Sequence, residues 1–228
     1  MNKTEDSKIF TTLDGSPSVE ILSMDETYHS RHGALTESKH VFIQAGLEFV
    51  ARTKNEITIL EVGLGTALNA ALTLNYACVS SVKVNYIGLE PFPISQTDIL
   101  EIQKKWRDYT HINSIQQLIL NAPWEEEVLS NERMMFMKMT NRIQEIVLKE
   151  NCFDLVYYDA FAPRVQSEMW TVDIFQKLFR SMKTEGVLVT YCAKGQVRRD
   201  LQSVGFVVER LPGPPNKREM LRAVKPMI

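Results

Sequence analysis

The stretch ITILEVGLGTALNAA, residues 57–71, constrains the fold of this 228-residue chain more than any other part of the sequence. It begins with an apolar, β-branched run that contains Glu61, and it continues through the turn Gly63-Leu64-Gly65. Thr66 is the expected N-cap of the Ala/Leu-rich helix at 67–74 that follows. A strand, a glycine turn and a helix in this order predict a nucleotide site in an α/β sheet, because glycines let the backbone approach a ligand at a helix N-terminus.

The glycine pattern also favours one kind of nucleotide. A dinucleotide fingerprint has a third glycine, and Ala67 and Leu68 stand where it would fall. S-adenosylmethionine has no pyrophosphate to accommodate, so this cofactor is favoured over NAD. A glycine-rich turn without a ligand remains the alternative, since glycine is common in tight turns.

The composition is that of an ordinary globular domain, with 44% hydrophobic and 24% charged residues. The net charge of −2 gives no global sign of nucleic-acid binding. The charge is uneven, because residues 180–228 contain ten Lys/Arg and four Asp/Glu, a local excess of +6. This basic end is either a patch that faces a polyanion or an ordinary solvated surface.

The three cysteines, Cys78, Cys152 and Cys192, are widely spaced and lack a C-x-x-C pair. They indicate reduced, mostly buried thiols in a cytoplasmic protein, without a disulfide framework or a metal site. The sequence has no apolar run of the roughly 18–20 residues that a membrane span needs. The polar N-terminus, MNKTEDSKIF, has no signal-peptide core.

Alternating apolar runs predict a small N-terminal appendage and a larger domain, divided as residues 1–35 and 36–228. Residues 8–22 alternate around Asp14-Gly15, which predicts a β-hairpin. A loop at 26–35 then carries Tyr28 and two histidines, and it either closes over a ligand, with Tyr28 against the cofactor, or is simply solvated. Thr36 or Ser38 is expected to cap the next helix.

Strands and helices alternate through the rest of the chain, which predicts an α/β fold with a doubly wound, Rossmann-like sheet. Strands are expected at 57–62, 82–89, 133–140, 153–158 and 186–192, with an antiparallel pair at 206–211 and 220–224. Helices are expected at 67–74, 95–107 with Ser95 as cap, 141–149, 171–182 and 197–204, while 111–124 is ambiguous between helix and loop.

Three acids follow predicted parallel strands, and ligands of such sheets bind at the carboxyl ends of the strands. These acids are Glu61, Glu90 and Asp159. Glu90 lies about 25 residues beyond the glycine turn, where a carboxylate accepts the hydroxyl hydrogens of a ribose.

The chain resembles the methyltransferase family that completes the 5-methylaminomethyl-2-thiouridine modification at the tRNA wobble position. The resemblance rests on SKHVFI, EVGLGTALN, LEPFPI, YDAFAP with EMWT after it, GVLVTYCAKGQVRRDLQSVGF and KREML, in the family's order from about Glu26 onwards. The pair D-x-F-A-P and M-W-T is the most specific of these motifs, because the glycine motif alone indicates only the superfamily.

The resemblance implies a reaction and its partners. Many members are fused to an FAD-dependent oxidase, but this sequence has no second dinucleotide fingerprint, so a stand-alone methyltransferase half without flavin or metal is expected. It would transfer a methyl group from S-adenosyl-L-methionine to the 5-aminomethyl group of wobble 2-thiouridine in a tRNA anticodon stem-loop. A separate enzyme would supply that amine.

The family's site residues carry over by motif. Glu61, Gly63, Gly65 and Asn69 match the cofactor loop, with Glu61 expected to orient the ammonium group of the cofactor, and Glu90 matches the ribose acid. Asp159 matches the Asp of D-x-F-A-P. Two positions depart from the pattern: Lys138-Met139 stands where the family often has Gly-Asp to address the adenine amino group, which leaves Asn141 as a substitute, and Ala67 stands where Gly is common.

Asp159 is the expected catalytic residue, because its carboxylate can accept an N–H bond from the attacking amine and act as a general base. Phe161 and Pro163 are expected to shape the substrate wall, and Tyr158, Phe161 or Trp170 to stack on the base. For Trp170, as for Tyr157, a place in the core is the favoured alternative. The cations assigned to tRNA phosphates are Lys194, Arg198, Arg199, Lys217, Arg218 and Arg222.

Three other functions stay open on the sequence: a related small-molecule methyl- or aminopropyltransferase, an NAD-dependent oxidoreductase, and a non-catalytic RNA-binding relic. An acid-rich pocket would favour the aminopropyltransferase and the basic C-terminal end argues against it, while the missing third glycine disfavours the oxidoreductase. The oligomeric state and the choice of tRNAs are not encoded in any of these motifs.

Overall fold

The computed structural model describes residues 6–106 and 109–227, with residues 130 and 131 described by backbone only. A small antiparallel sheet precedes the main domain, with strands β1 (Ser7–Thr11), β2 (Pro17–Ile21) and β3 (Glu26–Thr27). β1 and β2 form the predicted hairpin, in register from Ser7 opposite Ile21 to Thr11 opposite Pro17. The Ser7 hydroxyl donates to Asp98 of the main domain at 2.9 Å, so the hairpin packs onto that domain.

The turn of this hairpin determines where the first helix begins. The helix runs through α1 (Ala34–Ser38), a π-helical segment (Lys39–Leu47) and α2 (Glu48–Ala51). Thr36 and Ser38 therefore lie inside it, and the prediction that either residue caps it was wrong. Asp14 supplies the cap instead, since its carboxylate accepts a bond from the Thr36 backbone N–H at 2.8 Å.

The main sheet is doubly wound, as predicted. Its core is five parallel strands in the order β9-β8-β4-β5-β7, with antiparallel β11 and β10 beyond β9 and antiparallel β6 beyond β7. The strands are β4 (Glu56–Val62), β5 (Lys83–Leu89), β6 (Val128–Asn131), β7 (Met134–Met139), β8 (Phe153–Tyr158), β9 (Met182–Thr190), β10 (Val207–Pro212) and β11 (Glu219–Val224).

Helices cover both faces of this sheet, and each face has its own apolar core. The remaining helices are α3 (Leu68–Val79), α4 (Gln96–Lys105), α5 (Thr110–Asn121), α6 (Val172–Ser181) and α7 (Gly195–Ser203). Ser95 caps α4 as predicted, because its hydroxyl accepts a bond from the Asp98 N–H at 3.0 Å. The ambiguous segment 111–124 is helical up to Asn121.

The helix predicted at 141–149 is absent. The segment forms a single turn, in which the Arg142 carbonyl accepts bonds from the backbone N–H groups of Glu145 and Ile146, and then an irregular stretch. The apolar pattern of this segment has another origin, because Ile143 is buried in the core between the sheet and α6. None of the described helices is long and apolar enough to cross a membrane.

Candidate active site

A cavity of about 360 Å³ opens at the carboxyl ends of β4, β5, β7 and β8. Chain segments from both ends of the sequence line it, namely 26–30 with Glu37, 62–66 with Leu68 and Asn69, 89–92, 141–144, 159–162 with Arg164, and Lys217. The parallel arrangement of the strands brings these loops together. The acids at the strand ends had predicted a ligand site at this edge of the sheet.

Two glycines shape the turn after β4. Gly63 has φ +91°, and a Cβ there would lie 2.6 Å from the backbone oxygen of Asp159. Gly65 has φ +51°, and a Cβ there would lie 2.8 Å from the ring of Tyr28. Any side chain at either position would therefore collide with the wall of the cavity.

Ala67, two residues after this turn, is one of the two positions that depart from the family pattern. Ala67 adopts a left-handed conformation, with φ +59°, and this is the position where glycine is common in the resembled family. Ala67 is thus the residue that precedes α3, and Thr66 makes no capping bond. The prediction that Thr66 caps the helix was wrong, because the left-handed residue follows it.

Asn69 links two carboxyl groups at the floor of the cavity. Its amide nitrogen donates to Glu61 at 2.8 Å and to Asp159 at 2.9 Å. The other oxygen of Glu61 accepts a bond from the Tyr86 hydroxyl at 2.6 Å. Glu61 is fully buried and lies behind Asn69, outside the cavity lining. Glu61 is therefore not exposed to the cavity, and its contact with the cofactor ammonium stays a prediction.

The amide oxygen of Asn69 is buried and has no hydrogen-bond partner among the described residues. A buried acceptor without a donor is costly, so a ligand that supplies an N–H group would satisfy it. The α-ammonium group of S-adenosylmethionine is such a donor, and the carboxylate form of Asp159 beside it favours a cation. The site therefore fits the amino-acid end of this cofactor.

Asp159 lies at the mouth of this network, half-buried and lining the cavity. Its backbone N–H donates to the Val62 carbonyl at 2.9 Å, which fixes the start of the D-x-F-A-P loop against β4. Burial, reinforced by the charge of Glu37, raises the pKa of its carboxyl to about 7, although the Asn69 bond and Lys217 oppose this. A carboxyl with a pKa near neutrality can take a proton at physiological pH.

Glu90 ends β5 with both oxygens directed by the backbone. One oxygen accepts from the Gly65 N–H and the other from the Phe92 N–H, each at 2.9 Å. These two bonds connect Glu90 to the glycine turn after β4 and to the segment after β5. Glu90 lines the cavity, in agreement with the position predicted for a ribose acid.

The aromatic residues predicted at the site divide into two groups. Tyr28 and Phe161 line the cavity and contact each other edge to face, with ring centroids 5.1 Å apart. Trp170 is buried outside it, and its indole N–H donates to the Phe161 carbonyl at 2.7 Å. Trp170 thus lies in the core, the alternative that the sequence favoured over stacking on the base, and supports the loop; Pro163 is not part of the lining either.

Lys138 does not address the ligand. Its side chain is fully buried and points away from the cavity, where the ammonium donates to the Leu120 carbonyl at 2.7 Å and lies 4.4 Å from the Trp124 ring centre. Burial lowers the pKa of this amine to about 8. The substitute named from the sequence, Asn141, does line the cavity.

The predicted phosphate-binding cations do not form one group. Lys217 lines the cavity, where its ammonium forms an ion pair with Glu37 and lies 4.3 Å from the Tyr191 ring centre. Arg222 bonds Glu209 and packs 3.7 Å above the Phe49 ring, so its charge is already paired. The other four remain accessible: Lys194, Arg199 and Arg218 are exposed and Arg198 is half-buried.

Several residues of the cavity wall have no local pattern that would predict them. Glu37 and Lys217 are 180 positions apart, and only the fold pairs them. Arg164 similarly reaches Glu26 of the N-terminal sheet in an ion pair of 2.8 Å. Among the described residues no group of His, Cys, Asp and Glu is arranged to hold a metal ion. Of the three free thiols only Cys192 is buried, so the expectation of mostly buried thiols was wrong.

One cavity of this doubly wound sheet contains a glycine turn, an acid placed to bind a ribose and a side-chain oxygen placed to accept a hydrogen bond from an amine. Together these features define the cofactor site of a Rossmann-like methyltransferase. A sequence model of the family described as S-adenosyl-L-methionine-dependent methyltransferase matches residues 102–226. The chain belongs to this family, and its cofactor is S-adenosyl-L-methionine.

Named relatives agree with the resemblance found in the motifs. The chain is 30% identical over 226 residues to the tRNA 5-methylaminomethyl-2-thiouridine biosynthesis bifunctional protein MnmC of a Marinomonas species, and 27% identical over 209 residues to that of Pseudomonas fluorescens. These matches cover 91% and 87% of this chain, but in each case only 32% of the relative. The chain thus spans about a third of the length of these relatives.

Solved structures give the same result for the fold. The chain is similar to MnmC2 from Aquifex aeolicus, with a TM-score of 0.75, 27% identity and coverage of 97% of this chain and 73% of that one. It also shares its fold with a spermidine synthase from Thermotoga maritima, at a TM-score of 0.61 and 15% identity over 97% of this chain and 70% of that one. The predicted fold class, family and cofactor are confirmed.

The Asp159 carboxyl should make cofactor binding depend on pH. With a pKa of about 7 it is partly protonated in the free protein at neutral pH, and a bound cation favours its ionised form. We therefore expect the affinity for S-adenosylmethionine to fall about tenfold as the pH decreases from 7.5 to 6, measured by calorimetry. Asp159→Asn should flatten this dependence, and an unchanged slope in that variant would exclude Asp159 as the titrating group.

Proposed function

We propose that this chain methylates the primary amine of the 5-aminomethyl group on wobble 2-thiouridine in tRNA. The observation that carries the proposal is the position of Asp159, beside the orphaned Asn69 oxygen and at the start of the D-x-F-A-P loop. A primary amine that accepts a methyl group must lose a proton to become a methylamine. Asp159 is the group in this cavity that is suited to receive this proton.

Each step of the mechanism has a residue in the cavity. Asn69 would hold the amino-acid end of S-adenosylmethionine and Glu90 its ribose, and the bound cofactor would supply an electrophilic methyl group. Asp159 accepts a hydrogen bond from the incoming amine, directs the nitrogen lone pair and removes the proton. Tyr28 and Phe161 form an apolar wall that limits water at this point.

The greater length of the relatives suggests which active site supplies the aminomethyl tRNA. They are described as bifunctional, and this chain spans about a third of their length. We propose that the methyl transfer alone belongs to the part described here, and that the aminomethyl tRNA comes from a separate active site. A cytoplasmic location follows from the proposed tRNA substrate.

The direct test uses labelled S-adenosylmethionine and tRNA from cells that accumulate 5-aminomethyl-2-thiouridine. We expect label in 5-methylaminomethyl-2-thiouridine after digestion to nucleosides. Matched tRNA that lacks the modification serves as control and should remain unlabelled. Cofactor binding without transfer to either tRNA would refute the proposed substrate while preserving the methyltransferase.

An aminopropyltransferase is the second candidate, and one feature of the cavity favours it. The lining contains Glu26, Glu37, Glu90, Asp159 and Glu168 against three cations, an acid excess suited to a polyamine. The same excess attracts the aminomethyl cation, so the two functions share this feature. Transfer from decarboxylated S-adenosylmethionine to putrescine separates them, and we expect none.

The accessible basic residues should bind tRNA without affecting the cofactor. We expect the triple variant Lys194→Glu, Arg199→Glu and Arg218→Glu to weaken tRNA binding and to reduce the slope of log affinity against log salt by up to about three. The exposed residues Lys104 and Lys149 provide a control pair for the same reversal. Equal tRNA affinity and slope in the triple variant would remove this surface from the proposal.

A further inference from the structure

Lys177 on α6 makes a set of bonds that neither the motifs nor the proposed chemistry explains. Its ammonium donates to the backbone carbonyls of Ile143 at 2.8 Å, Gln144 at 2.7 Å and Ile146 at 3.0 Å. An ammonium group has three donors, and all three are used on one loop. The loop, residues 141–148, lies within the segment 141–149 that the sequence predicted to be helical.

These bonds explain why the segment stops after one turn. In a helix, the carbonyls of Ile143, Gln144 and Ile146 would accept bonds from N–H groups four residues further along. Lys177 occupies them instead, while the Arg142 carbonyl closes the single turn. Ile143 is buried in the same core as α6, and Ile146 and Leu148 pack against it, so the loop is held by apolar contacts together with one charged group.

The loop that Lys177 binds forms one wall of the cofactor cavity. Residues 141–144 all belong to the lining, and Arg142 lies above the ring of Phe92, with its guanidinium carbon 5.0 Å from the ring centre. Phe92 follows the ribose acid Glu90 by two residues, and its own backbone N–H is bonded to that acid. The loop and the end of β5 therefore form one continuous edge of the site.

The order of the strands indicates which part of the cofactor meets this wall. With the roles proposed above, the amino-acid end would lie at Asn69 and Asp159, beside β4 and β8, and the ribose at Glu90, after β5. Neighbouring strands are about 4.8 Å apart, so a ligand that continues in this direction brings its base to β7 and the loop after it. Met139 stands where the resembled family often has an acid at the end of β7, and Lys138 before it is turned into the core.

We propose that Lys177 is a positioning residue for the cofactor, which holds residues 141–144 as the wall that receives the adenine. The wall takes over the role that an acid at position 139 would have. The cofactor itself is established by the family, so this proposal does not depend on the tRNA substrate. Binding measurements without tRNA separate its failure from a failure of the proposed reaction.

The test compares Lys177→Met with the control Lys149→Met, an exposed lysine that follows the same loop. The probes are S-adenosylhomocysteine and its analogue with hypoxanthine in place of adenine, titrated by calorimetry. Wild type should bind the adenine form at least about tenfold more tightly, because exchanging a donor for an acceptor on the base leaves wall groups unpaired. Lys177→Met should weaken S-adenosylhomocysteine about tenfold and reduce the preference below about threefold.

Hydrogen exchange provides a second measurement that does not depend on the ligand. Amides of 143–148 should exchange faster in Lys177→Met, whereas those of β4 and β8 should stay protected. Lys177→Arg should restore part of the base preference, since a guanidinium keeps the charge but lacks the compact ammonium geometry. A wild type without base preference, or a Lys177→Met protein that loses stability yet keeps both the affinity and the preference, would overturn the proposal.

Discussion

Asp159→Asn is expected to lower the rate of methyl transfer by about 10²- to 10⁴-fold, the range for a general base. Asparagine has the same size, and its oxygen can still accept the bond from Asn69, so the cavity should keep its shape. What the variant lacks is a group that takes a proton from the amine. Single-turnover transfer from labelled cofactor to aminomethyl tRNA measures this loss directly, without a contribution from product release.

The stability of Asp159→Asn without ligand serves as the control that this variant folds. The carboxyl of Asp159 has a pKa of about 7 in the folded protein and about 3.8 when unperturbed. As the pH rises between these values the unfolded chain loses its proton first, so the wild type becomes less stable. Asp159→Asn has no such cost and should melt at a higher temperature than wild type at pH 8. A variant that is equally stable and transfers methyl groups at the wild-type rate would refute the assignment.

The fold could be predicted from the sequence because each parallel strand contains a short, largely apolar run. β8 was predicted at 153–158, and the structure has Phe153–Tyr158. The acids Glu90 and Asp159 were placed correctly for the same reason, since each directly follows such a run. Local patterns succeed where a single segment and its burial determine the structure.

The errors arise where a distant residue supplies the partner. Asp14 caps a helix that begins twenty positions later, and Lys177 ends a helical turn more than thirty positions earlier. Trp170 satisfies a carbonyl of the active-site loop from within the core. The Glu37–Lys217 pair likewise has no local pattern, because the two residues meet only after the C-terminal hairpin returns to the cavity.

Gly63→Ala is expected to reduce the affinity for S-adenosylmethionine by roughly 100-fold or more. The φ of +91° alone is strained for alanine by about 1–3 kcal/mol. Because the cofactor needs the turn in this conformation, the strain reduces the affinity, and each 1.4 kcal/mol corresponds to a factor of about ten. In addition, the new Cβ would lie 2.6 Å from the backbone oxygen of Asp159, which cannot move without displacing the carboxyl of that residue.

Two matched glycine variants make this prediction specific. Gly65→Ala meets only the ring of Tyr28, which is the end of a side chain that can rotate, so its loss of affinity should be smaller. Gly195→Ala, at the start of α7, meets a flexible arginine at 3.3 Å and has no positive φ, so it should bind the cofactor like wild type. Calorimetric titration of the three variants should give the order Gly63, Gly65, Gly195 in decreasing effect. A Gly63→Ala protein with wild-type affinity would show that the turn does not need this close approach to bind the cofactor.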